Sequence, residues 1–237
     1  MRSTRPRPTA SGRGKSTEPS RGKQALLLAG LLAGVFLVGA ALASFYLGLS
    51  YRPPDGDSAE AGFARDMATH HAQAVQMAEI MQRRTESDEI RLLATDIALT
   101  QQGQIGQMQG WLAAWRLPQT GDEAPMTWMG HPTEGLMPGM AAPEEISALE
   151  TMPPDEADEQ FLRLLIPHHE AAIPMAEAVL SETDRPEVEQ LASAISASQQ
   201  NEIQVMKDLL RSRGAAPAEE GPAEGAPHGG GHADHGG

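Results

Sequence analysis

Between residues 63 and 81 the chain places Phe63, Met67, His70, Ala74, Met77 and Met81 at intervals of four, three, four, three and four. That spacing holds all six on one face of an α-helix, the face that a helix turns toward a neighbour. Leu93, Ile97, Gln101, Gln104, Met108, Trp111 and Trp115 follow nearly the same intervals and predict a second helix. The short polar stretch 83–87 between them favours an antiparallel hairpin.

The pattern then recurs. Residues 63–79 align with residues 161–177 at a fixed offset of 98, pairing Phe63 with Phe161, His70 and His71 with His168 and His169, and Met77 with Met175. The same offset continues without a gap to Leu112 and Leu210, leaving 18 of 50 aligned positions identical. This is a duplication, with repeats at 59–116 and 157–213. Two hairpins stacking their apolar faces predict an all-α four-helix bundle over residues 59–213. The second copy carries Pro167 and Pro174, each without a backbone donor, so Pro167 is expected to open a new helical segment and Pro174 to kink it.

A different pattern precedes the repeats. Residues 1–24 hold seven basic side chains and one acid, followed by an uncharged, mainly apolar run at 25–51. That run exceeds the roughly 20 residues a helix needs to cross a bilayer. It predicts one transmembrane helix, with the basic arm in the cytoplasm and the bundle on the far side of the cell membrane. Ala41-Leu42-Ala43 resembles a signal-peptidase site, but the apolar run continues past it through Phe45, Tyr46 and Leu49, which favours an uncleaved anchor.

Charge and composition narrow the function classes. Beyond residue 50 there are 11 basic and 31 acidic side chains, a net charge of −20. Such a domain repels nucleic acid and attracts cations. The chain has no cysteine, which excludes a disulfide framework, a thiolate zinc site and a cysteine nucleophile. Pro, Gly and Met concentrate in the linker 117–156, expected to cross the end of the bundle as a long loop. There Met126, Met129, Met137, Met140 and Met152, with His131, read as side chains without a core to fill. The tail 214–237, with His228, His232 and His235, reads as disordered and suited to loose metal capture.

The candidate site is the twice-repeated His-His-x5-Met: His70, His71 and Met77, then His168, His169 and Met175. Imidazole and thioether together suit a copper ion, and thioether in particular favours Cu(I) over zinc or iron. His70 and Met77 share a helix face, but two turns separate them by about 10.5 Å, so an ion shared between helices is easier than one gripped within a copy. No Glu-x-x-His occurs anywhere, which argues against a carboxylate-bridged di-iron centre. The recurring Gln101-Gln102 and Gln199-Gln200 are placed to hydrogen-bond the histidines across the bundle. Phosphate-binding loops and a nucleophile elbow are absent.

Phe-x6-His-His-x2-Ala-x2-Met-Ala, present twice, with Met137-Pro-Gly-Met140 before the second copy and Asp158-x-x-Phe161, resembles the bacterial family known as domain of unknown function 305. The resemblance covers about residues 59–213. It implies a ferritin-like bundle, usually exported, with some members linked to copper binding. The motif residues it carries over are the same six. Three readings stand: a membrane-anchored protein that binds or buffers copper, closer to a binding protein than an enzyme; a structural bundle whose histidines pack and whose partner is an unidentified envelope protein; or a redox or hydrolytic metalloenzyme with an open coordination position.

Overall fold

The computed structural model describes residues 21–50 and 52–214. The expectations for the basic arm up to residue 20 and for the tail beyond Gly214 lie outside the described residues. The described residues form helices joined by turns and loops, without strands, and fall into two compact units that divide after Pro53.

The first unit contains helix α1, Arg21–Ser50. Its stretch Leu28–Phe45 has a mean hydropathy of 2.2 and is the one helix among the described residues long and apolar enough to cross a membrane.

The second unit is a four-helix bundle of α2 (Ala59–Arg84), α3 (Asp88–Trp115), α5 (Pro154–Glu182) and α6 (Pro186–Ser212), with a short helix α4 (Pro143–Ala148) in the linker. Local chemistry starts each helix. Ser58 and Ser87 cap α2 and α3 by accepting from the amides of Ala61 and Ile90. Pro154 and Pro186 open α5 and α6, and acids occupy the first turn of all four. Both hairpin turns use the same device: Thr85 and Thr183, equivalent under the 98-residue offset, accept from the amides two residues on, Ser87 and Arg185.

Helix α2 packs on α3 and α5 on α6, and the hairpins meet through α2 and α5. Between α3 and α6 the packing opens into a groove of about 680 Å³. The core divides into two apolar clusters. One gathers the C-terminal half of α2, the N-terminal halves of α3 and α5 and the C-terminal half of α6. The other gathers the complementary halves. Exchanging the copies exchanges the clusters, so a pseudo-twofold axis passes between them. Helices α3 and α5 therefore run parallel, and the linker must return the length of the bundle, the long-crossover arrangement of ferritin-like folds.

This corrects the expected course of the linker, which lies along the flank of α2 and does not cross the bundle end. Asp66 accepts from the Met126 amide (2.8 Å) and the Trp128 indole (2.9 Å). One and two turns on, His70 holds the Pro138 carbonyl and Gln73 pairs with both backbone groups of Ala141. Gly62 makes room for Trp128, whose ring lies 2.4 Å from where a Cβ would stand. The linker methionines accordingly have a core: Met126 and Met137 are buried, and Met129, Met140 and Met152 pack against it. Of that group only His131 is exposed.

Helix α5 also departs from expectation. It runs unbroken through Pro167 and Pro174, so no new segment starts at Pro167. Both prolines face solvent. The carbonyls they leave without a helical donor, on Arg163 and Glu170, belong to residues that are themselves half-buried or exposed, where water can serve.

Candidate functional site

Between the two apolar clusters lies a polar layer. His70, His71 and Gln101 come from the first copy, His168, His169 and Gln199 from the second, and each is at most 1 % exposed. Helix periodicity explains the placement: the apolar face that fills both clusters passes through these positions midway along each helix. The pseudo-twofold brings His70 and His168 into direct contact, ring centroids 3.8 Å apart. His168 and His169, neighbours on α5, have centroids 6.0 Å apart.

The hydrogen bonds around the layer leave specific atoms over. His70 Nε2 donates to the Pro138 carbonyl (3.2 Å) and His168 Nε2 to the carbonyl of His70 (3.1 Å). A carbonyl only accepts, so both rings carry their proton on Nε2 and, when neutral, present a lone pair at Nδ1. His169 Nε2 donates to the Glu202 carboxylate at 2.7 Å. The Nδ1 atoms of His70, His168 and His169 are buried without a partner, as are both nitrogens of His71. With Gln101, Gln104 and Gln199, the layer accounts for nine of the eleven unpartnered buried side-chain atoms among the described residues. Each such atom costs about 1–3 kcal/mol. The shortfall is concentrated in one place.

Burial also fixes the charge state. Desolvation pushes the His70 imidazole down to about 4, against a weaker upward pull from the Pro138 carbonyl. Desolvation, helped by His70 and His169, takes His71 down to about 3. His168 is lowered well below its ordinary value, again chiefly by burial. Near neutral pH these three rings are uncharged, the form in which imidazole binds metal.

Met77 and Met175 are buried but are not brought together: Met77 lies in the cluster containing Phe161 and Met206, Met175 in that containing Phe63 and Met108. They stand on opposite sides of the histidine layer. No group of three His, Asp or Glu side chains among the described residues is assembled to hold an ion.

The glutamine expectation is corrected. Gln101 and Gln199 are buried in the layer, yet both atoms of the Gln101 amide and Oε1 of Gln199 lack partners, while Gln102 and Gln200 are exposed. His70 and His168 take backbone carbonyls and His169 takes Glu202, while His71 takes neither. Gln104 lies close enough to His71 to influence it but forms no hydrogen bond of normal geometry.

The linker closes the layer on one flank. Gly139, at φ +74°, sits where a Cβ would lie 2.4 Å from the Pro167 carbonyl and 3.0 Å from His168 Cα. Met137-Pro138-Gly139-Met140 is thus a strap over the His70–His168 pair, with Met137 buried. Neither the strap's contact nor Glu202 was singled out from the sequence. Glu202 carries a signal there, since the 98-residue offset pairs it with Gln104; the Pro138 carbonyl carries none.

Residues 60–210 match the family described as Domain of unknown function (DUF305). Among solved structures, a DUF305 protein from Streptomyces coelicolor is 43 % identical with a TM-score of 0.66, covering 70 % of this chain and all of its own. A DUF305 fragment from Deinococcus radiodurans is 38 % identical with a TM-score of 0.56, covering 65 % of this chain and 96 % of its own. CopM in its Cu(I)-bound form is 29 % identical with a TM-score of 0.49, covering 66 % and 97 %. An uncharacterized protein, L153, of Acanthamoeba polyphaga mimivirus is 45 % identical over 56 residues, which are 24 % of this chain and 37 % of that protein's length.

Proposed function

The chain belongs to the DUF305 family, and from that premise we propose that it is a membrane-anchored, extracytoplasmic protein that binds copper in the histidine layer of its bundle. The observation that carries the reading is the set of buried, unpartnered imidazole nitrogens contributed by His70, His71, His168 and His169. Two of these rings have their tautomer set by a backbone carbonyl on the opposite nitrogen, which is how a metal-ligating histidine is oriented.

The residues fit a soft, low-charge ion. A buried site of neutral donors favours an ion of small charge, since every added charge costs more in an apolar interior. Thioethers stand on both sides of the layer in Met77 and Met175. Imidazole and thioether together select Cu(I) over harder ions. His70, His71, His168 and His169 would supply the imidazole ligands, flanked by Met77 and Met175 in the apolar clusters on either side. The ion is cargo, bound and released, and the reading assigns the chain no reaction.

Helix α1 supports the membrane part of the proposal by length and composition. An amino terminus in the cytoplasm follows from the basic residues before it. The acidic exterior of the bundle then concentrates cations near its surface.

One observation favours a second reading. His70 and His168 also tie the strap and the two copies together through their Nε2 bonds, a structural role that needs no metal. Cu(I) titration of the full-length chain against a competing chelator separates the two. The metal reading expects tight binding that is lost when the four histidines are replaced. A packing role expects the same replacements to lower thermal stability equally with and without the ion.

A further inference from the structure

The two halves of the histidine layer are related by duplication, yet one substitution between them changes its chemistry. Under the 98-residue offset, His71 corresponds to His169 and Gln104 to Glu202. On the second copy's side, fully buried His169 donates from Nε2 to Glu202 Oε2 at 2.7 Å, and the Glu202 side chain, 12 % exposed, lines the groove between α3 and α6. On the first copy's side, both nitrogens of His71 and Oε1 of Gln104 are without partners.

A carboxylate behind an imidazole does two things that an amide cannot. It draws the Nε2 proton toward itself, which raises electron density on the ring and makes Nδ1 a stronger donor. It also places a negative charge beside a cation entering an interior where charge is poorly screened. The duplicated site has therefore diverged at one atom pair, carboxylate against amide, while its ligating side chains have stayed the same.

We infer that the two halves of the layer are inequivalent, with Glu202 as the positioning residue that makes His169 the stronger ligand, so that the ion is held chiefly from the second copy's side. This rests on the metal-binding reading. It places the leading role in the copy whose helix carries the two prolines.

The test uses the full-length chain in detergent with the tail histidines His228, His232 and His235 replaced by alanine. Cu(I) affinity is measured against a competing chelator for the parent, Glu202→Gln, Gln104→Glu and the double exchange Gln104→Glu/Glu202→Gln. Loss of a carboxylate behind a ligating imidazole lowers affinity by about 10–100-fold, and that loss is expected for Glu202→Gln. The double exchange is expected to restore it. Imidazole ¹⁵N spectra under substoichiometric Ag(I) should move His169 first in the parent and His71 first in the double exchange, a reversal that a purely structural Glu202 does not produce. Equal affinity of the parent and Glu202→Gln, or His71 moving first in the parent, overturns the inference while leaving the copper reading standing. Absence of binding by every variant overturns the copper reading and this inference with it.

Discussion

The imidazoles of His70 and His168 face each other with ring centroids 3.8 Å apart and planes 31° from parallel, and His168 Nε2 donates to the carbonyl of His70. These residues hold the same position in the two copies, so the contact marks the pseudo-twofold axis of the bundle. A duplicated helix that crosses its own copy antiparallel must meet it at one shared level, and this chain puts histidine there.

Burial of these rings makes folding depend on pH. An unfolded histidine titrates near 6.5, whereas His70 in the fold is lowered to about 4 and His71 to about 3. Between those values the unfolded chain binds more protons than the native one, so stability is full above pH 6.5 and falls as the pH drops through the window. The loss from His70 alone should approach about 3 kcal/mol by pH 4. Thermal unfolding followed by circular dichroism from pH 7.5 to 4 checks it; a melting temperature unchanged down to pH 4.5 contradicts the burial of neutral rings.

Filling the layer with an apolar side chain should stabilise the metal-free protein. Both nitrogens of His71 lack partners, so His71→Leu removes unpaired polar atoms at similar volume and should raise stability by about 1–3 kcal/mol. The same variant should bind copper more weakly. Denaturant unfolding together with a copper titration reads both effects. Destabilisation without any change in copper affinity would point to a packing histidine.

The strap depends on Gly139. A methyl group there would stand 2.4 Å from the Pro167 carbonyl and 2.7 Å from Ala171 Cβ, on a backbone at φ +74°. Gly139→Ala should cost at least about 2 kcal/mol. By lifting Pro138 from His70 it should also speed hydrogen exchange of the His70 ring, readable by NMR.

Much of this architecture is legible in the sequence, because a gapless repeat and a 3.6-residue period act locally. The helices around Phe63, Leu93, Phe161 and Leu191 follow from spacing alone. The course of the linker does not, since it depends on pairs such as Asp66 with Trp128 and Gln73 with Ala141, 62 and 68 residues apart and without any pattern of their own. Hence Met126 and Met137 read as loose when they are core. Pro167 misleads for the opposite reason: its local cost is real, but its placement on the solvent side of α5 makes it small. Gln104 and Glu202 were visible in the alignment of the copies, yet their difference acquires meaning only once His169 is found 2.7 Å from Glu202.

The membrane anchor is tested by fractionation. The full-length chain should remain with membranes after alkaline carbonate extraction. In intact spheroplasts protease added outside should digest the bundle and spare the amino-terminal arm. Release into the soluble fraction at full length contradicts the anchor.

Copper binding by the histidine layer is read by Cu(I) titration against a competing chelator. Two chains are compared, both lacking His228, His232 and His235: one otherwise native, the other with His71→Leu and His169→Leu, chosen because apolar side chains of similar size keep the core filled. The native layer should bind tightly near one ion per chain, and the substituted one should lose that binding while remaining folded by circular dichroism. Equal binding by both chains, or tight binding found only when the tail histidines are present, would contradict it.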